Sequence, residues 1–447
     1  METQEVWLRA PQSAEFFERL FREFATQNPL IERLEARFLD VAGVRIQSLV
    51  DHWILPEDPE LRAQLPKLGF VEATLPEGDK VWQHPRTRLP HLRFKQKRVT
   101  PCLALLVENA SDFSTAHNLN LHACHGDEES TYQCAHLTLE SGELMPIIRN
   151  GYKGYAPGTL SNEEREALIV VRERLASRNR SGEESLVIAQ THQLIEEAIA
   201  LIGRDRTADE FFLAERNYYL TRNSAARWQL AQQNRLGISW ANQDHHTYRS
   251  SRASFRSLIH LFNAMGFIAR ERFYAGIEAG WGAQVMEHPT SRVVIFADVD
   301  IAPEELGIDF ANTYLPEREA LGTIGLWCAL HTSSIAEAGM HHLECEYDFE
   351  RANALLNANG HPVMPPFTDL PMLKQAFTVA ETWKVAPERA KMLVMNGAIT
   401  PEQAQKFILQ GAAGSHLEIL QRWEGFKGFN KTGVSAIIRD TDARKQQ

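Results

Sequence analysis

One order of residues occurs twice in the sequence, first as Val50-Asp51-His52-Trp53, then Leu68-Gly69-Phe70, then His84-Pro85-Arg86-Thr87-Arg88. The second occurrence is Gln243-Asp244-His245-His246, then Met265-Gly266-Phe267, then His288-Pro289-Thr290-Ser291-Arg292. In both, Asp-His precedes a helix-like segment that ends in Gly-Phe, and glycine is favoured where a helix ends before a strand. Four matched features in one order predict two copies of one supersecondary unit.

The composition is that of an ordinary globular protein. The chain has 447 residues, of which 44% are hydrophobic and 23% are charged, and this length corresponds to about three domains. The formal charge is −11 and no basic block is present, so we expect no nucleic-acid partner and no membrane partner. The N-terminus lacks a secretory pattern and the five cysteines are scattered, so we expect a cytoplasmic protein with free thiols.

A βαβββ unit with a histidine on its first strand and Gly-Phe after its helix resembles the module of the vicinal oxygen chelate superfamily, which includes glyoxalases and extradiol dioxygenases. Large helical insertions, and a histidine on the first strand of both modules, are most similar to the 2-oxoadipate dioxygenase/decarboxylase (hydroxyglutarate synthase) family. The resemblance extends in pattern over residues 40 to 360. It implies an α+β fold in which two βαβββ modules pair their sheets around one metal ion.

Hydrophobic periodicity and Gly/Pro-rich segments divide the chain into five regions. We predict an N-terminal helical region (1–40), a first βαβββ module (41–150), a helical insertion (151–237), a second βαβββ module (238–360), and a helical C-terminal region with a Gly-rich tail (361–447).

The resemblance implies that each module supplies metal ligands from its strands. It makes His52 one ligand, and matching Asp51-His52 to Asp244-His245 makes His245 the second. Because neighbouring residues of a strand point to opposite faces, His245 and His246 cannot both face one ion. We prefer His245 and keep His246 as the alternative and as a candidate catalytic residue.

The carboxylate ligand is expected on a later strand of the second module. In the segment 340–347, His342, Glu344 and Glu346 alternate and therefore share one strand face. The resembling family carries its carboxylate on a late strand just before a helix, which implies Glu344 here, with Glu346 next. Two further carboxylates lie nearer within the repeat and stay open as alternatives: Glu287 and Asp298.

Basic side chains are expected to hold the substrate, because a planar guanidinium binds a carboxylate through two hydrogen bonds. Arg249 lies four residues after His245 and so on the same strand face. Lys431 lies in the Gly-rich tail, which could close over an anionic substrate. The resembling family favours an arginine shortly after the histidine of the first module, where this sequence has Trp53-Ile54-Leu55-Pro56.

Two histidines and one carboxylate suit Fe(II), with Mn, Ni or Zn as alternatives. The resemblance therefore implies a non-haem Fe(II)-dependent dioxygenase/decarboxylase that takes a small 2-oxo acid and O₂. Two other functions stay open: a redox-neutral isomerase or lyase of the same superfamily, and a metal-free protein that binds small molecules. The sequence also leaves homo-oligomer formation open.

Overall fold

The computed structural model describes residues 7–75, 77–274, 280–305, 307–318, 320–368, 370–430 and 442–445. The helices are α1 Pro11–Gln27, α2 Pro29–Ala42, α3 Pro59–Gln64, α4 Ala110–His117, α5 Asn162–Ala176, α6 Glu184–Ile202, α7 Arg204–Leu220, α8 Ser224–Asn234, α9 Phe255–Ala264, α10 Thr323–His331, α11 Phe349–Ala358, α12 Pro387–Met395 and α13 Pro401–Gln410. The strands are β1 Val50–Pro56, β2 Val71–Thr74, β3 Lys80–Gln83, β4 His91–Lys95, β5 Cys102–Leu106, β6 His122–His125, β7 Tyr132–Thr138, β8 Glu143–Arg149, β9 Gln243–Arg249, β10 Ile268–Tyr274, β11 Trp281–Glu287, β12 Val294–Asp300, β13 His342–Glu346, β14 Leu373–Phe377, β15 Thr382–Trp383, β16 Ala412–Ala413 and β17 His416–Arg422.

The strands form two large mixed sheets, which we call the first sheet and the second sheet. The first sheet has the order β2-β3-β4-β1-β5-β8-β7-β6, and the second has the order β10-β11-β12-β9-β13-β17-β14. The two predicted βαβββ modules are confirmed as β1-α3-β2-β3-β4 and β9-α9-β10-β11-β12. A related unit completes each sheet: β5-α4-β6-β7-β8 in the first, and β13, α11, β14 and β17 in the second.

The repeated Gly-Phe and His-Pro motifs pack against each other in both modules. Gly69 and Gly266 have φ angles of +83° and +96°, which glycine adopts without strain. The ring of the following phenylalanine meets the histidine of His-Pro edge to face, at 5.5 Å for Phe70–His84 and 5.1 Å for Phe267–His288. The sequence repeat therefore corresponds to one packing unit that occurs twice.

Alternation along the strands separates a core face from a polar face. Trp53 on β1, Leu343 on β13 and Leu417 on β17 point into one continuous hydrophobic core, which also contains side chains of α1, α2 and the insertion helices. Their strand neighbours His52, His342 and Glu418 point to the opposite face of the sheets. The polar groups are thus gathered on the face that the core helices do not cover.

The two helical additions have different roles in the fold. The insertion forms the helices α5 to α8, as predicted. The C-terminal region contains α12 and α13 but also strands that the sequence analysis did not predict, and β14 and β17 extend the second sheet. The five domain boundaries stay a prediction. Among the described residues, no helix combines the length and the hydrophobicity that a membrane span requires.

We expect Gly69→Ala to destabilise the protein more than Gly78→Ala, although both glycines have positive φ angles. Either alanine costs about 1–2 kcal/mol for the left-handed backbone. At Gly69 a Cβ atom would also lie 2.5 Å from His84 Nε2, whereas at Gly78 it would meet nothing within 4 Å. Chemical denaturation measures the difference, and equal losses for the two variants would contradict the packing unit.

Candidate metal centre of the second sheet

Three side chains from three strands of the second sheet converge on one point. His342 Nε2 lies 3.0 Å from Glu418 Oε2, and His245 Nε2 lies 3.7 Å from the same oxygen. The three donor atoms all lie within 4.8 Å of one another. Ligand atoms that share an ion at about 2.1 Å are roughly 3–4 Å apart, so these residues fit a divalent cation.

Strand register explains this convergence. Glu344 on β13 lies opposite His245 on the antiparallel β9, and Glu418 on the parallel β17 lies beside Glu344. The tripeptide His-Leu-Glu occurs on both strands, at residues 342–344 and 416–418, and the two copies are paired residue by residue. The leucines enter the core, so the histidines and glutamates face the site.

Glu344 contacts His245 on the ring nitrogen opposite to the one that lies near Glu418. Its carboxylate Oε1 lies 2.7 Å from His245 Nδ1, and Asp244 Oδ1 lies 3.4 Å from the same nitrogen. Burial opposes protonation of His245, but Glu344 and Asp244 raise the pKa of the imidazole above its usual value. A carboxylate on one ring nitrogen fixes the tautomer in which the other nitrogen, Nε2, is free to bind a metal.

A small cavity lies on the Nε2 side of His245. Its volume is about 60 Å³, room for roughly four or five water molecules. His245, His342 and Glu418 line it, whereas Asp244 and Glu344 do not. Aromatic side chains make up much of the rest of its wall: Phe273, Trp281, Phe296, Phe367, Phe377 and Phe429. Open positions for small ligands therefore exist beside His245, His342 and Glu418. The same cavity is also lined by His341 and His416, which with His342 form another group of possible donors.

The electrostatics of the cluster favour a cation. Burial and the nearby Glu344 carboxylate raise the pKa of Glu418 well above its usual range. Burial also holds the pKa of His342 well below its usual value, so its imidazole is neutral. Gln375 donates to both Glu344 and Glu418, at 2.9 and 3.2 Å, and fixes the two carboxylates. A divalent ion would stabilise this arrangement, because it binds a neutral imidazole and offsets the cost of a buried, charged carboxylate.

Of the three predicted ligands, the structure brings His245 and Glu344 together, in a group of possible donors with Asp244, but it does not bring His52 to them. His52 lies on β1 of the first sheet, at the position that His245 occupies on β9 of the second. Its Nδ1 lies 2.7 Å from Asp51, its ring meets Tyr155 at 4.6 Å, and its Nε2 has no hydrogen-bond partner among the described residues. In the described part of the chain, no candidate metal cluster includes His52.

Apolar residues replace the metal donors in the first sheet. By strand register, Cys102 and Ala104 on β5 correspond to His342 and Glu344, and Met145 on β8 corresponds to Glu418. All three are buried in a hydrophobic cluster. The first sheet thus repeats the architecture of the second but retains only the histidine and its neighbouring aspartate.

A second repeat, which the sequence analysis did not recognise, follows the last strand of each sheet. Gly-Tyr-Lys-Gly-Tyr occupies residues 151–155 and Gly-Phe-Lys-Gly-Phe occupies residues 425–429. Arg149 binds Asp51 and the carbonyls of Tyr152 and Gly154. Arg422 binds Asp244 and the carbonyls of Phe426 and Gly428 in the same way. Each segment is held so that its last aromatic ring, Tyr155 or Phe429, covers the histidine of its sheet.

Each half of the molecule, built around one of the two large sheets, contributes an arginine to the buried aspartate of the other half. Arg88 of the first half reaches Asp244 of the second at 2.5 Å, and Arg292 of the second half reaches Asp51 of the first at 3.3 Å. Although burial opposes it, Arg422 and Arg88 hold the pKa of Asp244 well below its usual range. The arginines of the repeated His-Pro-x-x-Arg motifs thus link the two sheets about a pseudo-two-fold axis.

Arg249 is placed in the cavity and His246 is not. Arg249 lines the cavity, and its guanidinium lies 5.4 Å from the ring of Trp327. Its Nε has no hydrogen-bond partner among the described residues, and burial lowers the pKa of Arg249 to about 10. His246 faces the core, where its ring lies 4.9 Å from Phe212. Lys431 lies outside the described residues.

The alternative carboxylates have other partners. Asp298 lines the cavity near Arg249, and burial raises its pKa to about 7. Glu287 binds Lys427 at 2.6 Å, and Glu346 lies 3.3 Å from Arg88. Neither Glu287 nor Glu346 lines the cavity that contains His245. The sequence analysis missed Glu418 because it interpreted the region that contains β17 as helical. The repeated tripeptide His-Leu-Glu is the sequence pattern that could have identified this residue.

No family model matches the chain, and no curated protein sequence matches it. Weakly similar solved structures include a protein described as a glyoxalase superfamily member from Ralstonia eutropha, with 12% identity and a TM-score of 0.34 over 59% of this chain and 96% of that one. They also include a mutant of 4-hydroxymandelate synthase from Streptomyces coelicolor, with 12% identity and a TM-score of 0.31 over 90% and 100% of the two chains. A methylmalonyl-CoA epimerase from Mycobacterium tuberculosis has 12% identity and a TM-score of 0.23 over 41% and 88%.

We expect Arg149→Met to lower the free energy of unfolding by about 3 kcal/mol, because among the described residues it leaves the buried carboxylate of Asp51 with the half-exposed Arg292 as its one cationic partner, beside the imidazole of His52. Asp51→Asn in the same chain should recover part of this loss, which a double-mutant cycle by chemical denaturation measures. Arg165→Met, which breaks the exposed pair with Asp127, serves as the control and should cost less than about 1 kcal/mol. A loss for Arg149→Met no larger than that control would be inconsistent with a buried anchoring pair.

Proposed function

We propose that His245, His342 and Glu418 bind one divalent metal ion and that the protein is a metal-dependent oxygenase acting on a small 2-oxo acid. This proposal rests on one observation: the imidazoles of His245 and His342 and the buried carboxylate of Glu418 converge at the wall of a cavity. Two histidines and one carboxylate with open positions suit non-haem Fe(II), and Mn, Ni or Zn could take the same donors.

The remaining residues of the cavity would select and hold the substrate. Arg249 supplies a desolvated guanidinium with an unused donor, and such a group binds a carboxylate through charge-assisted hydrogen bonds. His245 and Arg249 lie four residues apart on one strand face, about 13 Å along β9. A small acid could therefore be held by Arg249 while its other end reaches the donor cluster.

The protein groups fix the geometry and exclude water. Glu344 holds His245, and Gln375 holds Glu344 and Glu418, so two of the three donors are fixed before any ligand arrives. The third, His342, has its Nε2 2.7 Å from Thr247 Oγ1. Phe296 and Phe429 pack at 4.6 and 5.1 Å from the His245 ring and keep bulk water away from it. When bound, an Fe(II) ion would supply Lewis acidity and the capacity to reduce dioxygen.

Metal analysis tests the donor set. We expect about one ion per chain after anaerobic loading of the wild-type protein with Fe(II), and less than about a tenth of that for His342→Ala and Glu418→Ala. His52→Ala is the matched control, because His52 occupies the position of His245 in the first sheet, and it should keep its metal. Metal retained by Glu418→Ala, or lost by His52→Ala in a protein that melts at the wild-type temperature, would refute this donor set.

Oxygen consumption tests the reaction. We expect the Fe(II)-loaded protein to consume O₂ and release CO₂ with one member of a panel of small 2-oxo acids. Arg249→Met should raise KM for that acid at least about tenfold, since a hydrogen bond to a charged group contributes about 1.5–3 kcal/mol. Arg252→Met, which removes an arginine outside the cavity, is the control and should leave KM unchanged. Product formed equally well without oxygen would instead support a redox-neutral isomerase or lyase.

A further inference from the structure

A large cavity lies between the two halves of the molecule, separate from the small cavity of the metal centre. Its volume is about 1160 Å³. Residues related by the pseudo-two-fold axis line it in pairs: Arg88 and Arg292, Lys153 and Lys427, Arg149 and Arg422, and Gln83 and Glu287. The two sides of this central cavity can therefore be compared residue by residue.

On the side formed by the second half, the charges are balanced. Lys427 binds Glu287 at 2.6 Å, and Arg270 lies 3.1 Å from Glu271 and 3.5 Å from Glu287. Arg88 and Arg422 share two carboxylates, Asp244 at 2.5 and 3.1 Å and Glu346 at 3.3 and 3.8 Å. Four basic side chains thus face four carboxylates.

On the side formed by the first half, three of those four carboxylates have no counterpart: Glu287, Glu346 and Glu271, whose position in the register is taken by Ala73. Gln83 at the end of β3 stands where the second half has Glu287, and Leu106 at the end of β5 stands where it has Glu346. One carboxylate, Asp51, is left to bind both Arg149 and Arg292. Lys153, the counterpart of Lys427, forms no ion pair among the described residues. Among the described residues, the two arginines therefore share one carboxylate and Lys153 has no carboxylate at ion-pair distance.

Lys153 and Arg292 both line the cavity. The Arg292 side chain is 45% exposed, and its ion-pair partner Asp51 lies at 3.3 Å. Its φ angle of +60° is strained for a residue with a side chain, and a hydrogen bond of 3.0 Å from its N–H to the His288 carbonyl supports that conformation. Burial and the positive charge of Arg292 lower the pKa of Lys153, and the more weakly acting carboxylate of Glu287 across the cavity opposes this shift.

We propose that the central cavity binds a small dianion between Lys153 and Arg292. An anion there would take the place of Glu287 and Glu346, the two carboxylates that the second half has where the first half has Gln83 and Leu106. The guanidinium of Arg292 offers planar hydrogen-bond donors and Lys153 offers a compact charge, a combination that suits a phosphoryl group or a dicarboxylate. The site does not involve His245, His342 or Glu418 and stands independently of the metal proposal.

Calorimetric titration of the full-length protein at low ionic strength, with inorganic phosphate and separately with succinate, tests this proposal. We expect saturable binding of one dianion per chain, and the probe that binds identifies the phosphoryl or the carboxylate class. Gln83→Glu restores the carboxylate of the second half without removing a cation, and Lys153→Gln removes the unpaired charge. Each should weaken binding at least about tenfold.

Lys95→Gln is the matched control, because it removes one positive charge from the first half at a lysine that pairs with Asp79 outside the cavity. It should keep the wild-type affinity within about twofold. Binding should also survive removal of metal with phenanthroline, a neutral chelator. No saturable binding of either probe up to about 10 mM, or binding that Gln83→Glu leaves unchanged, would overturn the proposal.

Discussion

The imidazole of His245 has two nitrogens, and the buried carboxylate of Glu344 lies against one of them at 2.7 Å. Because Nδ1 is held there, Nε2 is the nitrogen that faces His342, Glu418 and the cavity. Two of the three candidate donor groups of the described residues contain His245, and this contact distinguishes them: Asp244 and Glu344 lie on its Nδ1 side, whereas His342 and Glu418 lie on its Nε2 side, beside the cavity. The interpretation of the site depends on this assignment of the two nitrogens.

Duplication explains why such a site occurs in one half of the molecule. Both halves keep the aspartate–histidine pair at the start of a sheet, the arginine that binds the aspartate, and the glycine-rich segment that covers the histidine. The first half has replaced the remaining donors with Cys102, Ala104 and Met145. The first half also contributes Arg88 to the buried aspartate beside His245.

The sequence was sufficient to predict the two modules, the inward-facing strand position of His245 and the proximity of a carboxylate near residue 344. It was not sufficient to predict which histidines meet. The repeat shows that His52 and His245 occupy equivalent positions. Because those positions belong to two different sheets, equivalence does not bring the two side chains into contact. Glu418 comes from β17, which begins 74 residues after its neighbour β13, and local patterns do not encode the pairing of strands so far apart in the chain.

Anomalous diffraction from crystals of the Fe(II)-loaded protein, collected at the iron absorption edge, measures the position of the ion directly. The structure predicts one peak, about 2.0–2.2 Å from His245 Nε2, His342 Nε2 and a carboxylate oxygen of Glu418. A peak beside His52, or one between Asp244 and Glu344 on the Nδ1 side of His245, would contradict the account.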